Sequence, residues 1–169
     1  MPISLHAALV PSWLQILGSL NTLIDKAEAS DFTEEAIVQQ RLIDDMLPFA
    51  YQVKSAVVHS QGAIEGVRKA VFSPDMTPPP ASFAAMRNQI SGAIHFLQNV
   101  DEAEMEGFIG APMRFEIGEK RIDFTAENFL LSFSQPNFYF HATTAYDVLR
   151  MIGVPVGKLD YLGALRIVG

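Results

Sequence analysis

Residues 137–153 read Asn137-Phe138-Tyr139-Phe140-His141-Ala142-Thr143-Thr144-Ala145-Tyr146-Asp147-Val148-Leu149-Arg150-Met151-Ile152-Gly153, and this stretch decides the fold. Pro136 precedes it, at a helix start where a missing N–H costs little. Gly153 follows the last apolar turn, where a left-handed cap needs no Cβ, and Pro155 prevents continuation. Phe138, Ala145, Val148, Leu149 and Ile152 recur at spacings of three and four, which gives one apolar helical face. Asn137 and His141 stand one turn apart on or beside that face. The spacing therefore predicts a helix over 136–152 with two polar groups along one edge.

Three more helices follow from the same signals upstream. Ser4 suits the N-cap of a first helix over 4–29, whose stripe is Trp13, Ile16, Leu17, Leu20, Leu23, Ile24 and Ala27. Pro11 either kinks or restarts it. Helical pieces are expected in 30–47, capped by Asp31 or Thr33. A second long helix is predicted over 47–71, with Phe49, Val53, Ala56, Val57, Ala63, Ile64, Val67 and Val71 inward. Gly62 and Gly66 each cost about 1 kcal/mol there relative to Ala, and close approach of a neighbouring helix would explain them. The run Ser73-Pro74-Asp75-Met76-Thr77-Pro78-Pro79-Pro80 cannot be helical and reads as an ordered crossing. Ser82 caps a third helix over 82–100, with Phe83, Met86, Ile90, Ala93, Ile94 and Leu97 inward and His95 outward.

Residues 113–124 alternate instead. Met113-Arg114-Phe115-Glu116-Ile117 and Arg121-Ile122-Asp123-Phe124 form a β-hairpin with one apolar face, Phe115 opposite Phe124 and Ile117 opposite Ile122, and Glu119-Lys120 at the tip. A lone hairpin is marginal in water, so its face must lie on the helices. Thr125 starts a short helix that Gln135-Pro136 ends. The tail from Val154 has no period and is expected as coil folded back through Leu159, Tyr161 and Leu162. The fold class is all-α: a four-helix bundle with a small β-hairpin inserted before the last helix, in one domain over 1–169.

Composition limits the function. Net charge is −7 and the pI about 5.0, and only 12 basic residues are present. Nucleic acid is therefore not an expected partner, since phosphate neutralisation needs clustered Lys and Arg. There is no cysteine, so disulfides, a thiol nucleophile and thiolate metal sites are excluded. No membrane span or export signal is expected, and a cytoplasmic location fits. Phosphate loops, nucleophile elbows, His-Glu-x-x-His and calcium loops are absent.

What remains is His59, on the second helix, with Asn137 and His141 on the last. Residues at i and i+4 project from one side of a helix. A histidine on a facing helix completes three points, and two imidazole nitrogens with an amide oxygen can hold a divalent metal. On spacing alone the same residues more readily suit a structural role, as core histidines bonded to Asn137, Thr143, Thr144 or a backbone carbonyl.

The run Asn137-Phe138-Tyr139-Phe140-His141 with Leu149-Arg150-Met151-Ile152-Gly153-Val154-Pro155 resembles the last helix of DinB/YfiT-like four-helix bundles. Those proteins carry a histidine pair four apart on that helix. Registered on Gly153, His141 matches the second and Asn137 replaces the first, while His59 falls where the family has its other metal histidine. The chain is more closely similar to a bacterial branch described as a domain of unknown function. That branch is marked by Pro136-Asn137-Phe138-Tyr139-Phe140-His141, Thr143-Thr144-Ala145-Tyr146, Gly157-Lys158 and Asp160-Tyr161-Leu162-Gly163. The superfamily includes thiol-cofactor-dependent transferases and isomerases, and metal-dependent hydrolases.

The resemblance implies a metal site at His59, Asn137 and His141, taking Zn, Ni, Mn or Fe. It implies a pocket between the second and fourth helices for a small molecule, with transferase- or hydrolase-type chemistry there. It also implies a homodimer. The alternative is a non-catalytic dimeric binding or scaffold protein with a degenerate metal site.

Overall fold

Helix α1 (Leu5–Glu28) begins where the Ser4 hydroxyl accepts from the Ala7 N–H at 3.1 Å. The structure, a computed structural model, describes residues 2–168. Pro11 lies inside α1 without ending it. By length and composition α1 could cross a membrane, its best window having mean hydropathy 1.3. Here its apolar stripe is core instead: Leu9, Trp13, Leu17, Leu20, Leu23, Ile24 and Ala27 are buried, and the helix packs against the helices Phe83–Gln98 and Gln135–Ile152.

A short α2 (Glu34–Gln39) is capped by Thr33, and its Glu34 carboxylate accepts the backbone N–H of Phe83. The second rod of the bundle has three pieces: α3 (Phe49–Val57), a π-helical turn (Val58–Gly62) and α4 (Ala63–Arg68). Sequence periodicity extends this helix to 71, but the helix ends at Arg68. Ala70 takes a left-handed φ of 57°, and Val71–Phe72 becomes strand β1. Tertiary pairing overrides the helical pattern here, because β1 finds a parallel partner in β2 (Pro112–Ile117), Val71 against Arg114 and Phe72 against Phe115.

That strand also corrects the expectation for the two glycines. A Cβ on Gly66 would stand 3.1 Å from two side-chain carbons of Phe72, so Gly66 admits the strand and not a helix. A Cβ on Gly62 would meet its own helix neighbour, Val58, at 3.7 Å. Packing does not require glycine at 62.

After the crossing at 73–80 come α5 (Phe83–Gln98), capped by the Ser82 hydroxyl, and α6 (Glu102–Gly107), capped by Asp101. Periodicity did not foresee α6, which is too short to show a period. The hairpin pairs β2 with β3 (Lys120–Thr125) in antiparallel fashion. Its register places Phe115 opposite Ile122 and Met113 opposite Phe124, two residues from the expected pairing. Every side chain keeps its face, because a shift of two preserves the pleat. The register follows from the turn: Gly118, with φ +54°, stands at its first central position, where a tight hairpin turn needs glycine.

The chain then runs through α7 (Ala126–Asn128) and a second π turn (Phe129–Ser134) directly into α8 (Gln135–Ile152). The expected break at Gln135–Pro136 does not occur. The wide π turn lies just upstream of Pro136, with the Gln135 N–H bonding back to the Leu130 carbonyl. It opens the turn that the proline ring would otherwise strike. Gly153 ends α8 with φ +95°. The tail is more ordered than expected: Lys158–Leu162 forms α9, held to α1 by Lys26 on Asp160 at 2.9 Å and by Gln15 on the Leu162 carbonyl at 2.6 Å.

Helix α8 packs along α3, and α1 along α5. The Trp13 and Phe138 rings meet at 6.1 Å in the buried centre. The hairpin lays Phe115 and Phe124 on Phe129 and Phe133 of the second π turn, with centroids 5.0 to 6.0 Å apart. It thereby closes one end of the α3–α8 seam.

Candidate functional site

Both rods that form this seam depart from α-helical winding at the site. His59 sits in the first π turn, and the second π turn ends at Ser134, three residues before Asn137. An inserted residue re-aims the side chains beyond it, and such turns are frequent at functional sites. Here they bring His59 and His141 face to face. Their rings are 5.8 Å apart and inclined by only 14°. His59 also contacts Phe72 at 5.5 Å and Phe133 at 5.8 Å, and the Tyr51 ring meets His141 edge-on at 6.0 Å.

Around the pair lies a cavity of about 200 Å³, lined among others by Tyr51, Lys54, Phe72, Asp75, Asn137 and His141. All three sequence-derived candidates, His59, Asn137 and His141, line it. A larger cavity of about 460 Å³ lies on the other side of Val58 and Phe72, towards α4 and α5. It contains neither histidine but shares Lys54 and Asp75 with the first.

The hydrogen bonds differ from those expected of core histidines. His141 Nδ1 lies 2.7 Å from Gln52 Oε1, and His59 Nδ1 lies 3.4 Å from the Ser134 hydroxyl. Thr144 bonds to the Phe140 carbonyl, and Thr143 donates to the Tyr161 hydroxyl. The Asn137 amide donates through Nδ2 to the Phe133 carbonyl at 2.7 Å.

Electrostatics keep the pair neutral. Burial lowers the His59 imidazolium pKa to about 3, with the positive charge of His141 adding to the effect. Burial lowers that of His141 to about 4. Charging either ring means desolvating a cation among phenylalanines. At neutral pH both rings are uncharged and each keeps one nitrogen lone pair.

Lys54 is the second polar feature of the wall, only 3% exposed. Its ammonium holds the crossing segment, reaching the Asp75 carbonyl at 3.1 Å, the Thr77 carbonyl at 2.5 Å, the Thr77 hydroxyl at 2.9 Å and Asp75 Oδ2 at 3.2 Å. Burying an ammonium without partners is costly, and here four oxygens surround it.

Sequence reasoning missed Gln52, Lys54 and Ser134. A signal existed for Gln52, which stands seven residues before His59 and so on the same helical face. Lys54 is the charged residue of α3. Ser134 left no trace in the periodicity, since only the π turn aims it inward.

A family model for a domain of unknown function (DUF1993) matches residues 5–162. The chain belongs to this family. The DUF1993 domain is DinB-like in fold. It is similar to the crystal structure of a DinB family member protein from Shewanella denitrificans, with a TM-score of 0.80 and 28% sequence identity. The likeness covers 98% of this chain and 95% of that one. No curated protein matches the chain.

As a metal donor set, two imidazole nitrogens and an amide oxygen suit a borderline divalent ion in type. No group of three or more His, Cys, Asp or Glu side chains is poised to hold a metal among the described residues. A third donor beside the two imidazoles would have to be the uncharged amide of Asn137, which lines the same cavity.

Proposed function

We propose that this DinB-like protein binds a small molecule in the cavity between α3 and α8, and that a divalent metal held by His59 and His141, with Asn137 Oδ1 as a weaker third donor, forms its polar end. The observation that carries this is the pair of neutral, near-parallel imidazoles 5.8 Å apart, contributed by two rods and set by two π turns. Neutral imidazole is the metal-binding form of histidine. Zn, Ni, Mn and Fe are the candidate ions. A bound ion would supply Lewis-acid polarisation of a substrate or cofactor atom, of the kind that transferases and hydrolases use. The chain's own part is to exclude water with Phe72, Phe115 and Phe133, which line the cavity, and to orient the ring of His141 through Gln52.

A second reading is favoured by Asn137 itself. An amide is a poor ligand beside imidazole, so the protein is then a binding or scaffold bundle that keeps the polar groups and not the metal. One experiment separates the two: metal content of protein purified without a histidine tag, followed by calorimetric titration with Zn and Ni. On the first reading His59→Ala and His141→Ala each abolish binding, and Asn137→His strengthens it. Equal affinity in all four proteins, or saturable binding in none, refutes it. We propose a homodimer for either reading. Phe140, 56% exposed on α8, supplies apolar surface for it. Light scattering that returned the 18.6 kDa monomer mass at micromolar concentration would count against the dimer.

A further inference from the structure

We infer that Gln52 is a positioning residue that fixes the proton of His141 on Nδ1, so that His141 meets a ligand through a bare Nε2. The inference rests on the α3–α8 cavity being a ligand site. It begins at a backbone carbonyl. Gln52 is 2% exposed, and its Nε2 donates to the Leu47 carbonyl at 2.7 Å. A carbonyl only accepts, so the amide can turn no other way without setting oxygen against oxygen. Gln52 Oε1 must then face His141, and it lies 2.7 Å from Nδ1. An amide oxygen also only accepts, so the hydrogen sits on Nδ1. A neutral imidazole has one N–H, which leaves Nε2 with its lone pair.

Asn137 repeats the device. Its Nδ2 is held by the Phe133 carbonyl at 2.7 Å, which leaves Oδ1 as an acceptor one helical turn from His141. Two residues of fixed polarity, each with a free acceptor, therefore line the cavity one helical turn apart. The cation of that wall, Lys54, does not offset them, because its ammonium is engaged by Asp75 and Thr77. His59 is the adjustable member, since its 3.4 Å contact is to a hydroxyl that can donate or accept. The matching ligand chemistry is an electron-pair acceptor: an N–H head group or a metal cation. A carboxylate would set lone pairs against lone pairs.

The test is long-range proton–nitrogen correlation spectroscopy of the histidine side chains at pH 7.5, with Zn²⁺, benzylamine and benzoate as probes. In the wild type, His141 should show a pyrrole-like Nδ1 and a pyridine-like Nε2. Gln52→Met, which keeps the volume, should reverse the majority tautomer while the His59 pattern stays. Zn²⁺ or benzylamine should shift His141 Nε2, and benzoate should not. A wild-type His141 with its proton on Nε2 overturns the inference and needs no variant to fold. So does a tautomer unchanged by Gln52→Met, or a benzoate shift at Nε2 that exceeds that of benzylamine. Silence towards all three probes overturns the ligand-site reading, while the tautomer still decides the role of Gln52.

Discussion

Acidification from pH 7.5 to 5.0 should destabilise this protein through its histidine pair by about 4 kcal/mol, close to 2 kcal/mol per ring. Both imidazoles are held below their ordinary value of 6.5, His59 at about 3 and His141 at about 4. A group whose pKa is lower in the folded state binds more protons when unfolded, so stability falls as pH drops below 6.5 and stops falling only beneath the folded pKa. At pH 5.0 neither folded ring is protonated, whereas both unfolded rings are. The loss per ring is then set by the 1.5 units between pH 5.0 and 6.5, about 2 kcal/mol at 1.36 kcal/mol per unit. It is insensitive to how low the folded values lie. Carboxylates contribute little in this window, because most titrate below it. The assay is urea unfolding followed by circular dichroism at both pH values, for the wild type, His141→Gln and the His59→Leu/His141→Gln double variant. The pH-dependent loss should halve in the single variant and nearly vanish in the double. Equal losses in all three proteins, or a flat wild type, would refute buried neutral imidazoles.

Other perturbations have opposed signs. Gly66→Ala should destabilise by about 1–3 kcal/mol, since its Cβ meets Phe72 at 3.1 Å and the Val71 carbonyl at 3.3 Å. Gly62→Ala should stabilise by up to about 1 kcal/mol, because it meets nothing closer than Val58 at 3.7 Å. Thermal melts of both report the difference, and the same sign for the two would contradict the β1 contact. Lys54→Met should cost about 2–4 kcal/mol, through the Asp75 and Thr77 oxygens left without their donor. It should also expose residues 73–80 to limited proteolysis, and a cleavage pattern identical to the wild type would dispute the role of the lysine. On the proposed metal site, Asn137→His should raise Zn affinity at least tenfold, measured by competition with a chromogenic chelator. An unchanged affinity would refute that site.

The sequence by itself determined what is local and periodic. Ser4, Ser82 and Gly153 marked helix ends because a cap is made by atoms within a few residues. The stripes from Trp13 to Ala27 and from Phe138 to Leu149 marked the buried faces, since side-chain direction follows from winding alone. The spacing of Asn137 and His141, with His59 on the facing helix, picked out three residues of the cavity wall but not Lys54. Tertiary structure decided the rest. Val71 carries a helical pattern but joins Phe72 in a strand, because a partner more than 40 residues away satisfies their backbone. The hairpin faces were legible, but the register waited on the conformation of Gly118. The π turns at 58–62 and 129–134 insert a residue in each rod, and straight helical arithmetic cannot see that. The bond from Gln52 to His141 joins residues 89 positions apart, and the neutrality of both rings comes from burial. These are properties of surroundings assembled from distant segments, which no window of the sequence contains.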